Sequence, residues 1–374
     1  MHGVSSGDSV TSGGGVSRAP EVPGGAELAR RYHDDVVGPI LAAEGIAWAG
    51  ARLGSGSDVL GFDDATSRDH DWGLRLTVVV AEDDVAGVDR LLADRLPATW
   101  AGQPTRFPVT WDPQPRHRVE VLTAHDLATA RLGLDPRPVL DPRPGSDPRP
   151  GLAPWQWLGL TGQSVLEVVA GPVFHDGPGE LAALRAAVAG YPDDVRRYVV
   201  ASAWAHLGQE LPFVGRCGSR DDELGSAVVA GRLARVLMHL GHVLEGRWAP
   251  YGKWLGTSFA GLPGSASAAG DLRGALTATT WREREARLVA ATDRLLDVQR
   301  ATGLPAPEHA TEAFHDRPFR GVTGVPEVVA AGVTDTAVRA LPHGVGAVEQ
   351  WVDDVHVLMD PARRLAVARA ALAP

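Results

Sequence analysis

Three copies of Asp-Pro-Arg-Pro, beginning at Asp135, Asp141 and Asp147, interrupt this 374-residue chain. Proline fixes φ and removes a backbone donor, so a six-residue period of paired prolines enters neither a helix nor a ladder. The interval 135–153 therefore reads as a stiff exposed linker with folded units on both sides. A chain of this length also exceeds what one core usually organises. The expected division is a disordered tail over 1–25, a first domain over 26–134, the linker, and a second domain over 154–374.

Before the linker the pattern alternates between strand and helix. Residues 27–45 place Leu28, Tyr32, Val36, Ile40 and Leu41 at helical spacing. A short strand over 46–53 then ends in the turn-forming run Gly54-Ser55-Gly56-Ser57. A second strand is expected over 69–80, a helix over 82–96, and two further strands over 106–111 and 117–122. Beyond the linker the spacing is helical over 180–189, 193–211, 222–244, 281–302 and 345–372. Leu224, Val228, Leu233, Val236, Leu237, Leu240 and Leu244 form a broad apolar stripe in the third of these. The expected fold class is α+β, a small mixed-sheet domain followed by a larger α-helical bundle.

Charge and composition narrow the partners. The net charge is −10 with no long basic run, so the chain lacks the electrostatic footprint of non-specific nucleic-acid binding. A single cysteine, Cys217, in what reads as a Gly-rich loop, excludes an internal disulfide and a Cys-based zinc site. The first 25 residues lack the cationic start and apolar core of a secretory signal. No apolar stretch is expected to reach the ~20 residues that cross a bilayer. Together these give the expectation of a cytoplasmic protein with neither nucleic-acid nor membrane partners. Of 36 basic residues one is lysine, Lys253, and the rest are arginine. A position that keeps a compact ammonium against that drift is a candidate phosphate contact.

One constellation carries chemistry. Transfer of a nucleotidyl group needs a divalent cation such as Mg²⁺, which prefers carboxylate oxygens. In Asp69-His70-Asp71 the two aspartates would share one face of a strand, because strand side chains alternate. Glu120, between Val119 and Val121, is placed to complete the site from a neighbouring strand. The Gly56-Ser57 turn, twelve residues before Asp69, would let backbone N–H groups and a hydroxyl approach phosphates. The run lacks the Gly-Lys-Ser/Thr ending of a P-loop and the glycine spacing of a dinucleotide fingerprint.

A Gly-Ser pair, an Asp-x-Asp and a later acidic strand residue resemble the nucleotidyltransferase superfamily that includes DNA polymerase β and the aminoglycoside nucleotidyltransferases. The fuller strings, Leu53 to Asp63 with Asp69 to Gly73, Asp222 to Ser226, and Pro250 to Gly256, resemble domain-of-unknown-function family 4037 from about residue 27 to 360. The resemblance implies a nucleotidyltransferase domain and a helical C-terminal domain, and leaves the substrate open. It implies triphosphate contact by Gly56 and Ser57, metal ligation by Asp69 and Asp71, and a metal or base role for Glu120. His70 and Trp72-Gly73 depart from the apolar residues usual at those positions.

The expected function is Mg²⁺-dependent transfer of a nucleoside monophosphate from a nucleoside triphosphate, ATP above all, to a hydroxyl or amine of a small molecule, or else of a protein. The alternative from another class is a non-catalytic nucleotide-sensing module that keeps the fold. His239, His242 and Glu245, three apart on one helix, read as structural rather than metal-binding. His206 and Glu210 read as an intrahelical pair.

Overall fold

The computed structural model describes residues 24–67, 72–135 and 151–373. The tail up to residue 23, Asp69, His70, Asp71 and the Pro-rich interval from 136 to 150 lie outside the described residues. The chain forms a small mixed sheet and a larger helical part, an α+β architecture.

The described residues open with α1 (Gly25–Tyr32) and α2 (Gly38–Ala43), joined by a π-helical turn over His33–Val37. Strand β1 (Ala49–Ala51) leads through the Gly-rich turn into the single-turn α3 (Ser57–Leu60). Strand β2 (Arg75–Val79) follows, then α4 (Val85–Arg95), the small hairpin β3 (Thr99–Trp100) and β4 (Gln103–Pro104), β5 (Arg106–Val109) and the long β6 (Asp112–Leu122). Helix α5 (Ala124–Leu132) starts on a Thr123 cap and stops at left-handed Gly133. Of the strand expected over 69–80, residues 69–71 lie outside the described residues, 72–74 are irregular and the ladder runs from Arg75 to Val79.

Past the Pro-rich interval the chain returns to the sheet. Helices α6 (Pro154–Leu158) and α7 (Gly162–Val169) precede β7 (Val173–Asp176), a strand that hydrophobic pattern did not reveal because its four residues do not alternate. The sheet order is β5-β6-β2-β1-β7, with β2 and β6 parallel and the other neighbours antiparallel. Residues on both sides of the interval therefore build one sheet.

Helix α8 (Glu180–Ala187) leads to the long hairpin of α9 (Asp193–Gly218) and α10 (Glu223–Leu244), against which α11 (Gly252–Ala260), α12 (Ala269–Thr277) and α13 (Trp281–Ala301) pack. A second core forms there from residues such as Leu207, Leu211, Leu233, Leu237, Leu288 and Leu295. Four expectations need correction. Helix α9 runs through Pro212 rather than ending at Leu211, since burial of Leu211, Pro212 and Val214 outweighs one lost backbone bond. Cys217 consequently sits in the last turn of α9 and not in a loop. The helix expected over 345–372 is broken into a 3₁₀ turn, Val355–Leu358 and Pro361–Leu372, because Asp354 and Asp360 cap new starts and Pro361 opens the last one. Helix α10, with 22 residues, is long and apolar enough to cross a membrane by length and composition, contrary to expectation, though half of its most apolar stretch is buried in the bundle.

Candidate functional site

Where β1 ends, the backbone must reverse within a few residues to enter α3. Gly56 makes this possible at φ 145°, a conformation closed to other residues, and an added Cβ would lie 2.2 Å from Asp58 Oδ1. Arg52 and Asp58 span the turn as a bidentate pair, with Nε donating to Oδ2 at 2.7 Å and Nη2 to Oδ1 at 3.0 Å. Both side chains are at least nine-tenths buried, so removing either strands a charge. Arg52 also donates to the carbonyls of Leu53 and Ser55, so one guanidinium fixes the whole run.

The far side of the turn is held by the helical part. The Gly54 N–H donates to the Glu167 carbonyl on α7 at 2.8 Å, and the Arg52 N–H to the Pro172 carbonyl at 3.0 Å. Gly171 passes so close that a Cβ there would sit 2.1 Å from the Arg52 carbonyl oxygen. Gly56 and Ser57 thus occupy a turn pinned from both sides, with Ser57 opening α3.

Glu120 lies opposite Thr77 in the parallel β2–β6 register. Its two carboxylate oxygens accept from Arg131 Nη2 of α5 at 2.8 and 3.0 Å. Arg131 also faces Glu167 Oε2 at 3.8 Å, and its guanidinium is 3.6 Å from the point a Cβ on Gly54 would occupy. Gln163 continues the row, donating to Glu167 Oε1 at 3.2 Å while its own oxygen accepts from the Tyr251 N–H at 3.4 Å. A polar line therefore runs from Glu120 through Arg131, Glu167 and Gln163 to the start of α11, beside the Gly54 turn.

Lys253 lies exposed in the first turn of α11, its ammonium 5.0 Å from the ring centre of Trp254. Trp254 in turn packs on Phe62, 5.4 Å between centres. Phe62 follows α3, and its N–H donates back to the Ser57 carbonyl at 2.8 Å. The structure thereby brings the Lys253 segment to the loop that follows Ser57. Asp69 and Asp71 lie outside the described residues.

The donor set bears on a divalent cation. Among the described residues no three His, Cys, Asp or Glu side chains converge. Glu120 is engaged by the Arg131 guanidinium through both carboxylate oxygens. The described residues alone do not fit Mg²⁺, and a metal here rests on Asp69 and Asp71.

The helical candidates have structural partners. His242 Nδ1 donates to the Met238 carbonyl and its Nε2 accepts from the Ser258 hydroxyl at 2.9 Å, while burial lowers its pKa. Glu245 accepts from the N–H groups of Gly264 and Ser265. His239 is pushed down to about 3, chiefly by burial, which keeps it neutral. Glu210 pairs with Arg232 of α10 at 2.9 Å instead of with His206. Missed by sequence reasoning were the Arg52–Asp58 clamp and Arg131. The first had a signal, two opposite charges flanking a Gly-rich turn. The second had none, because α5 meets β6 only through the fold.

Residues 157–255 match the family model described as a domain of unknown function, DUF4037. That segment, about a quarter of the chain, contains α7, β7 and the start of α11, the elements that hold the turn from its far side. Among solved structures, that of a nucleotidyltransferase-like protein from Exiguobacterium sibiricum 255-15 is 11% identical, with 75% of this chain and 78% of that one covered and a TM-score of 0.31. A score that low carries no weight for the fold. No curated protein matches the sequence.

Proposed function

We propose that this chain binds a nucleoside triphosphate at the Gly54–Ser57 turn and transfers its nucleoside monophosphate to a hydroxyl or amine of a small molecule, a protein being the next candidate acceptor. The acceptor oxygen or nitrogen would bond to the α-phosphorus as the bond to pyrophosphate breaks, and the acceptor proton would leave to solvent or a carboxylate. The observation that carries this reading is the turn itself. It is a glycine-dependent approach held rigid by Arg52–Asp58 and by α7, with the Arg131 guanidinium beside Gly54. Gly56 and Ser57 are proposed to face the phosphates, Lys253 to reach them from α11, and Asp69 and Asp71 to hold Mg²⁺. Net charge −10 favours a small acceptor over nucleic acid.

A second reading, a nucleotide sensor without turnover, is favoured by the engagement of Glu120 with Arg131, which a metal would have to compete with for the carboxylate. One experiment tests both. Triphosphate binding with Mg²⁺ is measured by calorimetry and pyrophosphate release is followed over a panel of acceptors, for the wild type, Asp69→Asn and Asp71→Asn. Transferase action requires release, lost on the order of a hundredfold or more in each variant with the fold intact. Binding without release in the wild type favours the sensor, and no Mg²⁺-dependent binding at all defeats both.

A further inference from the structure

We propose that Trp111 is the stacking platform for the nucleobase of the bound nucleotide, an inference that rests on the nucleotide-binding reading above. Trp111 sits in the two-residue loop of the β5–β6 hairpin, where Val109 pairs with Asp112. It is 61% exposed, a placement that leaves a large aromatic surface in water. The β6 strand extends well before its pairing with β2, which starts at Arg118 opposite Arg75, so the hairpin overhangs the beginning of β2.

Arg118 turns that overhang back. Its guanidinium donates to the carbonyls of Phe107, Asp112 and Gln114 and to Asp112 Oδ2, at 2.7 to 3.0 Å. Burial of the Arg118 side chain, 10% exposed, makes this a fixed bend. The consequence is that the Trp111 ring lies over Arg75, with the guanidinium carbon 5.3 Å from the ring centre. Arg75 Nη1 in turn donates to the Ser55 carbonyl at 3.4 Å, within the turn assigned to the phosphates.

Turn, guanidinium and indole are therefore consecutive along one end of the sheet. One side of the indole meets Arg75, and most of its surface stays open to a planar group. A nucleotide whose phosphates lie at the turn carries such a group at its other end. Stacking reads a π-face rather than hydrogen-bond edges, so the platform accepts any base.

The test compares ATP with inorganic tripolyphosphate, which has the charge but no base, by calorimetry in Mg²⁺ on the wild type, Trp111→Ala and Trp111→Phe. The ring's exposure means that both variants should melt close to the wild type. Trp111→Ala is expected to weaken ATP about 5- to 100-fold, Trp111→Phe to restore most of that loss, and tripolyphosphate affinity to stay constant. Equal loss for ATP and tripolyphosphate would mean that Trp111 acts only by positioning the turn, and would overturn the proposal. Unchanged ATP affinity would overturn it too, leaving the ring as a contact for some other molecule. A wild type that binds neither ligand would instead bring down the nucleotide reading, and the platform with it.

Discussion

The two faces of the five-stranded sheet are built on different terms. One face presents Leu74, Leu76, Val78, Val80 and Val119 to α1, α2 and α4, all buried, and these three helices come from the first 95 residues. The other presents Arg75, Thr77 and Glu120 beside Ala49, Ala51, Val79 and Leu122, and its cover is α5, α7 and the C-terminal helix Pro361–Leu372. Alternation within β2 and β6 decides which side chains go to which face. The helices of the dry face come from nearby sequence, whereas the polar face waits for distant segments such as Arg364, whose Nη2 donates to the Arg131 carbonyl 233 residues away. The Glu120–Arg131 pair on the polar face is made between elements close in sequence, while the helix that carries Arg131 is held in turn by Arg364 from the far end of the chain.

The largest effect expected on this contrast comes from Gly56→Ala. The substitution imposes a side chain at φ 145° and drives a Cβ into Asp58 Oδ1 and Arg52 Nη2. Loss of the Arg52–Asp58 clamp together with the backbone strain should cost about 3 kcal/mol or more in urea unfolding. Triphosphate binding should disappear even where the variant remains folded. Near wild-type stability with intact binding would show that the turn does not depend on Gly56.

How far the faces were legible beforehand follows from the same residues. Leu28, Tyr32 and Leu41 announce their helix because a local 3.6-residue period is written in contiguous sequence. Glu120 between two valines likewise announces alternation, and the structure keeps it opposite Thr77. Strand β7 is different, since Val173 to Asp176 becomes a strand only through pairing with β1. Arg131 belongs to the same class, one of 35 arginines until α5 sets it against Glu120 and Glu167. The breaks near Asp354 and Asp360 were written as caps, but the apolar period around them was the stronger signal.

A smaller, pH-dependent effect concerns the roof of the polar face. Glu349 accepts from the Gly162 N–H at the start of α7 at 2.8 Å, near Arg235, His239 and Arg364. Burial, opposed by the Gly162 N–H and the two arginines, raises its pKa from 4.5 to about 7. Below pH 4.5 the carboxyl is protonated in both folded and unfolded chains. Between 4.5 and 7 the unfolded chain releases its proton first, so this group's contribution to stability falls as pH rises and is fully lost above 7. Glu349→Gln should remove that slope, on the order of 1–2 kcal/mol after allowing for partial exposure of the carboxylate. Unfolding at pH 5 and pH 8 measures it, and an unchanged slope in the variant would take Glu349 out of the roof.

The smallest expected effect is the most informative about chemistry, and it comes from a double-mutant cycle on Glu120 and Arg131. The carboxylate is 42% and the guanidinium 27% exposed, so solvent screens the pair, and coupling of about 0.5–1 kcal/mol is expected between Glu120→Gln and Arg131→Met. Binding separates the two roles open to Glu120. If the carboxylate serves only to aim Arg131 at the phosphates beside Gly54, each single variant should weaken triphosphate binding alike, and the double variant should be no worse. If Glu120 instead joins Asp69 and Asp71 around a cation, Arg131→Met frees it and should strengthen Mn²⁺ binding, whereas Glu120→Gln should weaken it. The contact of Arg131 Nη2 with both carboxylate oxygens, at 2.8 and 3.0 Å, favours the first outcome, because a metal would have to displace an ion pair that also reaches Glu167.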